Sequence, residues 1–257
     1  MKKCIAGFYL LLMVMFSYDC LALYTVEYIP ALSAARGIDD FGNIAGNKVG
    51  YNQSTVITSD GSSIVIPCGS FPYATVDGVV VGADYDLQSA VTSSFIWKDG
   101  VCSKAGGIYT GYSNGKVAGY TQTSAFYGST VISYPGSKIN RVEGVNRAGI
   151  VAGYSQVPTS TRRGAPLKTI GWLWSQDAGF FKTFPGYQIA DVNDNGDVLS
   201  AAPASVFRNG LEEALPIPPN TFGTWLYEIN NFGDIAGQIR TSSSQYLYSG
   251  VVLRRAR

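Results

Sequence analysis

The chain has 257 residues, with 19 basic side chains, 18 acidic ones and no histidine. The missing histidine removes Ser-His-Asp and Cys-His catalysis, histidine acid–base chemistry and most zinc sites. Charged residues make up only 14% of the chain, against an ordinary ~25%, and Tyr, Ser, Thr, Asn and Gly take their place.

At the start, Lys2 and Lys3 precede an apolar run from Cys4 to Phe16, followed by Ser17-Tyr18-Asp19 and the small-residue site Cys20-Leu21-Ala22. This is the three-part layout of a secretory signal over residues 1–22, with cleavage expected after Ala22. The run is shorter than the ~20 apolar residues that cross a bilayer, so no membrane span is expected in the mature chain, residues 23–257. Losing Lys2, Lys3 and Asp19 takes the 19 basic and 18 acidic side chains to 17 of each. A neutral mature chain argues against nucleic acid or an acidic membrane as partner. The expected location is secreted or periplasmic. In that oxidising compartment the two remaining cysteines, Cys68 and Cys102, are expected to pair as a disulfide. Each is expected to follow the fourth strand of its repeat, at roughly equivalent places in neighbouring units.

Along the mature chain one short pattern recurs. It reads GIDDFGNIAG at 37–46, GVNRAGIVAG at 144–153 and EINNFGDIAG at 228–237, with weaker copies at 110–119 and 191–200 and a shortened one, VDGVVVG, at 76–82. The central glycines, Gly42, Gly78, Gly115, Gly149, Gly196 and Gly233, are spaced by 36, 37, 34, 47 and 37 residues. Asn or Asp opening the pattern and Gly closing it are turn residues, so the flanking apolar residues pair as a hairpin. A second hairpin follows, with aromatic strands such as Phe95-Ile96-Trp97 and Trp172-Leu173-Trp174 and turns such as Lys98-Asp99-Gly100 and Arg208-Asn209-Gly210. Four short strands per unit predict an all-β, six-bladed β-propeller of antiparallel four-stranded repeats. The last unit lacks a fourth strand, and residues 23–30 supply an orphan one that closes the ring and covers exposed sheet edges.

These motifs resemble the extracellular repeats called the HAF family, whose units carry an Ile-Asn-Asp-x-Gly-x-Ile-Ala-Gly core and an Ala-Phe-Leu-Trp-like strand. The resemblance covers nearly all of residues 31–253 and is strongest at 37–46, 144–153 and 228–237. The His-Ala-Phe triplet itself is absent, with Ser124-Ala125-Phe126 nearest to it. The resemblance implies an exported repeat protein and no settled activity.

Candidate sites are few. Asp191-Val192-Asn193-Asp194-Asn195-Gly196 matches half of a calcium loop, but its twelfth position is Ala202 where a Glu is expected. No cofactor is expected. Carboxylate pairs that would suit glycoside hydrolysis include Asp77, Asp84 and Asp86, or Glu212 and Glu213. The strand aromatics Trp97, Trp172 and Trp174 are expected between blades. Trp225, near Pro218-Pro219, reads as a loop residue free to bind. The long spacing marks an insertion at 155–168 that holds Arg162, Arg163 and Lys168. Arginine and tryptophan are the residue types enriched at binding hot spots. The expectation is therefore a non-catalytic binding protein, of inhibitor or immunity type, that engages an extracytoplasmic protein or glycan through Arg162, Arg163, Lys168 and Trp225. A carboxylate-dependent glycoside hydrolase and a structural envelope protein are the alternatives.

Overall fold

The computed structural model describes residues 23–50, 53–86, 91–121, 124–219, 221–242 and 247–257; the expected signal segment, residues 1–22, lies outside them. All elements among the described residues are strands. The first, β1 (Tyr24–Ile29), belongs to the last blade. Blade one follows as β2 (Leu32–Ile38), β3 (Ile44–Lys48), β4 (Ser54–Ile57) and β5 (Ser63–Val65). Blade two is β6 (Phe71–Val76), β7 (Val79–Asp86), β8 (Val91–Lys98) and β9 (Val101–Gly106). Blade three is β10 (Ile108–Ser113), β11 (Lys116–Tyr120), β12 (Ala125–Tyr127) and β13 (Thr130–Ile132). Blade four is β14 (Ile139–Val145), β15 (Val151–Pro158), β16 (Leu167–Ser175) and β17 (Gly179–Pro185). Blade five is β18 (Gln188–Val192), β19 (Val198–Ala202), β20 (Ala204–Arg208) and β21 (Leu211–Ala214). Blade six is β22 (Gly223–Ile229), β23 (Ile235–Arg240) and β24 (Tyr248–Arg255), completed by β1.

Each blade is an antiparallel meander whose first strand touches the first strands of both neighbours, β2 meeting both β6 and β22. The ring is therefore closed, as expected: a six-bladed β-propeller. Tyr24 pairs with Arg255 and Ile29 with Gly250, so β1 covers the open side of β24 and is itself the blade's outer edge. The pairing covers the facing edges of both strands and leaves the far side of β1 as the blade's outer edge.

The core is not one body but a layer between every pair of adjacent blades. Trp172 and Trp174 of blade four pack on Ala118, Tyr127 and Ile132 of blade three, while Phe95, with Trp97 beside it, packs on Val56 of blade one. This follows from the strand pattern. Both faces of a blade meet a neighbour, so the strands carry buried apolar residues on both sides, as in buried parallel sheets. The closing glycine of the motif is required by the same crowding. A Cβ on Gly153 would lie 2.1 Å from the Arg141 carbonyl oxygen and 2.7 Å from the Trp172 ring.

The turns are of two kinds. Asp77-Gly78, Asn114-Gly115, Asp99-Gly100 and Asn209-Gly210 all have both central residues in the left-handed region, the type I′ geometry that matches strand twist. The longer motif turns are capped by side chains: Asn43, Ile150, Asp197 and Asp234 donate backbone N–H to Asp39, Asn146, Asn193 and Asn230. The amide groups of the same asparagines reach the next blade. Asn146 donates to the Asn193 carbonyl, Asn193 to that of Asn230, and Asn230 to that of Asp39. A recurring Asn thus closes its own turn and ties blades four, five, six and one in sequence.

Cys68 and Cys102 are joined, with Cα atoms 5.8 Å apart. Their places are not equivalent: Cys68 lies in the link between blades one and two, and Cys102 lies inside β9, the outer strand of blade two. Opening a loop of this length costs about 3–4 kcal/mol in the chain-entropy account. A Cys68→Ala, Cys102→Ala protein is accordingly expected to melt about 10 °C lower, checked by thermal unfolding beside the oxidised parent.

Candidate active site in the axial funnel

The six innermost strands leave a funnel along the ring axis, with about 60 Å³ of free space inside it. Its lining follows from one irregularity repeated six times. Every first strand carries a β-bulge at the same place, where the ladder skips from Ala35 to Gly37, Pro72 to Ala74, Tyr109 to Gly111, Val142 to Gly144, Ile189 to Asp191 and Leu226 to Glu228. A bulge inserts one residue and re-aims the side chains around it. The inserted residues are Arg36, Tyr73, Thr110, Glu143, Ala190 and Tyr227. Of these, Tyr73, Thr110, Glu143 and Tyr227 line the funnel directly.

The position after the bulge holds the deepest carboxylates. In blades one, three and four it is Gly37, Gly111 and Gly144; in blades five and six it is Asp191 and Glu228. The exceptions fill the space the glycines leave. Asp191 Oδ1 occupies the place of a Cβ on Gly144, at 2.0 Å, and Glu228 Oε2 that of one on Gly37, at 2.8 Å. Asp191 accepts the Ile229 amide at 3.0 Å, and Glu228 accepts those of Ile38 at 2.7 Å and Thr75 at 3.2 Å. Burial pushes the Asp191 carboxyl up to about 7 and Glu228 well above its ordinary value, the latter also through repulsion from Asp191.

Glu143 differs from this pair. The residue as a whole is only half-buried, and no side chain or amide among the described residues hydrogen-bonds its carboxyl. Loss of hydration raises its carboxyl to about 7, only partly offset by the Arg141 guanidinium. Around it stand Tyr73, Tyr120, Tyr154 and Tyr227, each feeling its charge and each with a phenol pushed upward mainly by burial. A carboxyl poised near neutrality and without a fixed partner is equipped to take up and release a proton at physiological pH.

The far end of the funnel, where the motif turns lie, is closed by Arg147. Its guanidinium meets Asp40 at 2.9 Å, Asp77 at 2.7 Å and Asp194 at 2.6 Å. The backbone amides of Arg147, Asp194 and Asn231 each donate to the next blade's side chain, Asp194, Asn231 and Asp40 respectively. The open mouth is therefore the opposite end, on the side of Arg36, Tyr73 and Glu143.

The sequence-derived candidates fall elsewhere. Arg162 and Arg163 lie exposed on the β15–β16 connection and Lys168 at the start of β16, on the mouth side of blade four. Trp225 is in strand β22, not in a loop; it is 41% exposed and meets the Tyr248 ring edge-on at 5.8 Å. It rises from blade six, separated from the basic segment by blade five, so these residues share a face without being neighbours. Asp77 belongs to the Arg147 cluster, Asp84 pairs with Lys104, Glu212 accepts the Tyr187 hydroxyl and Glu213 pairs with Arg208; the Asp86 side chain lies outside the described residues. Each of the four described carboxylates is thus engaged by a different partner. In the half calcium loop, Asp191 is turned to the axis and Asn193 is engaged by its own turn and by blade six.

No protein-family model matches the chain, and no curated protein does. The ring is similar to the solved structure of virginiamycin B lyase from Staphylococcus aureus, at 12% identity and a TM-score of 0.50, over 90% of this chain and 99% of that one. It is equally similar to a catalytically inactive histidine-to-alanine variant of that lyase with quinupristin, at 12% identity, a TM-score of 0.51 and the same coverage. These likenesses concern the fold, a six-bladed propeller, and no family match accompanies the resemblance to HAF repeats. They also correct the expectation of a non-catalytic binding protein. The solved rings it resembles are enzymes, and three carboxyls with raised pKa values line the funnel of this one.

Proposed function

We propose that the protein is an exported enzyme of the proton-transfer type, acting on a small molecule at the open mouth of the funnel, with Glu143 as its general base or acid. One observation carries this reading: Glu143 lines the funnel with no hydrogen-bond partner among the described residues, and burial pushes its carboxyl to about 7. Two-carboxylate hydrolysis would need an ionised group beside a protonated one. Here all three axial carboxyls are raised, and Asp191 and Glu228 are occupied by backbone amides. A single mobile proton on Glu143 suits elimination or isomerisation better. The lyase with a similar ring has a catalytically inactive histidine variant, and this chain has no histidine, so that enzyme's substrate and machinery are not transferred.

The export signal at 1–22, an extracytoplasmic location and HAF-type repeats complete the proposal, in keeping with the Cys68–Cys102 bridge. Arg162, Arg163, Lys168 and Trp225 are assigned to the rim that a substrate passes. Replacing Glu143 by Gln keeps the shape and removes the titration. Turnover of any substrate found by screening is expected to fall at least ~100-fold, in line with a lost acid–base group. Unchanged turnover in a folded Glu143→Gln protein would place the chemistry elsewhere.

A further inference from the structure

Two half-buried arginines on the mouth side, Arg36 and Arg141, lie against tyrosine rings instead of carboxylates. Arg147, Arg208 and Arg254 each pair with one or more carboxylates. Arg36 and Arg141 are half-buried, and neither has a carboxylate partner among the described residues. Arg36 spends its Nε–H on Asn47 Oδ1 at 3.0 Å, and its two terminal nitrogens have no hydrogen-bond partner among the described residues. Its guanidinium lies 4.7 Å from the Tyr227 ring centre and 5.4 Å from that of Tyr73. Arg141 lies 4.0 Å over the Tyr120 ring and makes only a long bond, 3.4 Å, to the Thr121 carbonyl and one to the Tyr154 hydroxyl. A guanidinium withdrawn from water without an anion is costly unless a ligand supplies one. Its fork matches a carboxylate with two parallel hydrogen bonds.

We infer that the funnel mouth binds a short uronate-type saccharide, its carboxylates held by Arg36 and Arg141 and its rings laid against the tyrosines. The inference rests on the proposal that this mouth is the reactive site. Arg36 is on blade one and Arg141 on blade four, opposite positions in a ring of six, so the ligand lies across the mouth. Arg141 is the cation beside Glu143, which sets the carboxylate it holds next to the proton that Glu143 removes. The reaction that follows is a β-elimination. Glu143 takes the proton from the carbon bearing the carboxylate, and the C–H electrons become a C=C bond. The glycosidic C–O bond to the neighbouring carbon breaks, and the departing oxygen takes a proton from a tyrosine hydroxyl at the mouth. Solvent then restores the tyrosine proton and accepts the one on Glu143. Arg141 stabilises the negative charge that builds on the substrate carboxylate. The exposed Arg162 and Arg163 on the same face add an attractive field for anions, while the neutral mature chain suits a short acid better than a long polyanion.

The probes are disaccharides of galacturonate, glucuronate and mannuronate, with neutral digalactose as control, titrated by calorimetry into the full mature chain. At least one uronate is expected to bind tenfold or more tighter than digalactose. Arg36→Gln and Arg141→Gln are each expected to weaken it at least tenfold with unchanged melting, and Arg36→Lys, which keeps the charge but loses the fork, is expected to recover only part of that loss. Equal binding of digalactose, no binding of any uronate, or Arg→Gln variants with unchanged affinity would overturn the inference. Formation of the conjugated C=C bond, followed by its ultraviolet absorbance, separates the two levels. Arginine-dependent binding without elimination leaves the anion site standing and counts against Glu143 chemistry. Glu143-dependent turnover of a neutral sugar does the reverse.

Discussion

Deleting residues 23–30 is expected to lower the melting temperature by roughly 10–20 °C. The segment pairs along its whole length with β24, from Tyr24 opposite Arg255 to Ile29 opposite Gly250. It buries Tyr24 between blades five and six and Ile29 between blades six and one. Two such side chains and the lost ladder amount to about 5 kcal/mol, and a domain of this size loses ~2–4 °C per kcal/mol. The Tyr24 hydroxyl is also 3.4 Å from the buried Arg208 guanidinium, which pairs with Asp197 and Glu213. Without β1 that cation loses cover, and β24 becomes an unpaired edge open to association. Thermal unfolding with light scattering reads both effects. A truncated protein that melts like its parent and stays monomeric would mean that the ring does not depend on this strand.

Stability is expected to fall as pH rises from about 4 to 8, contrary to a protein held together by paired carboxylates. The sign follows from linkage. Asp191, raised from 3.8 to about 7, and Glu143, raised from 4.5 to about 7, bind more protons in the folded chain than in the unfolded one between those values. Glu228 is raised further in the same sense. Their contribution is complete below the unfolded values and is lost as pH climbs through the folded ones. Each tenfold gain in proton affinity on folding contributes about 1.4 kcal/mol at most, so Asp191 alone accounts for a few kcal/mol. An Asp191→Asn, Glu228→Gln protein resembles the protonated state and still offers an oxygen to the Ile229, Ile38 and Thr75 amides. Its melting temperature is expected to vary much less across this range. A parent whose stability instead rises from pH 4 to 8 would contradict the burial argument.

What was legible in the sequence is what local chemistry decides. The Asn or Asp that opens each turn and the Gly that ends it act within five residues of chain, so blades and ring closure follow from the motif. The insertion at 155–168 was marked by spacing alone, and residues 159–166 of it form the β15–β16 connection. Trp225 was misplaced because Pro218-Pro219 extends the loop signal, while the strand begins only at Gly223. The lining of the axial funnel was hidden for a different reason. Alternation predicts one inward side chain in two, but the bulge turns two successive residues to the axis. Arg36, Glu143 and Tyr227 occupy the inserted place, which the regular pattern does not assign. Asp191 and Glu228 did carry a signal, as carboxylates where other repeats have glycine. The half calcium loop gave no hint that the Asp191 oxygen fills the space over Gly144.

The central claim is that Glu143 holds a mobile proton near neutral pH. Its most direct test is the titration of the Glu143 side-chain carboxyl by carbon NMR in glutamate-labelled protein, with the resonance assigned by its loss in Glu143→Gln. A midpoint of about 7 is the predicted result; a midpoint near the ordinary 4.5 would contradict the account.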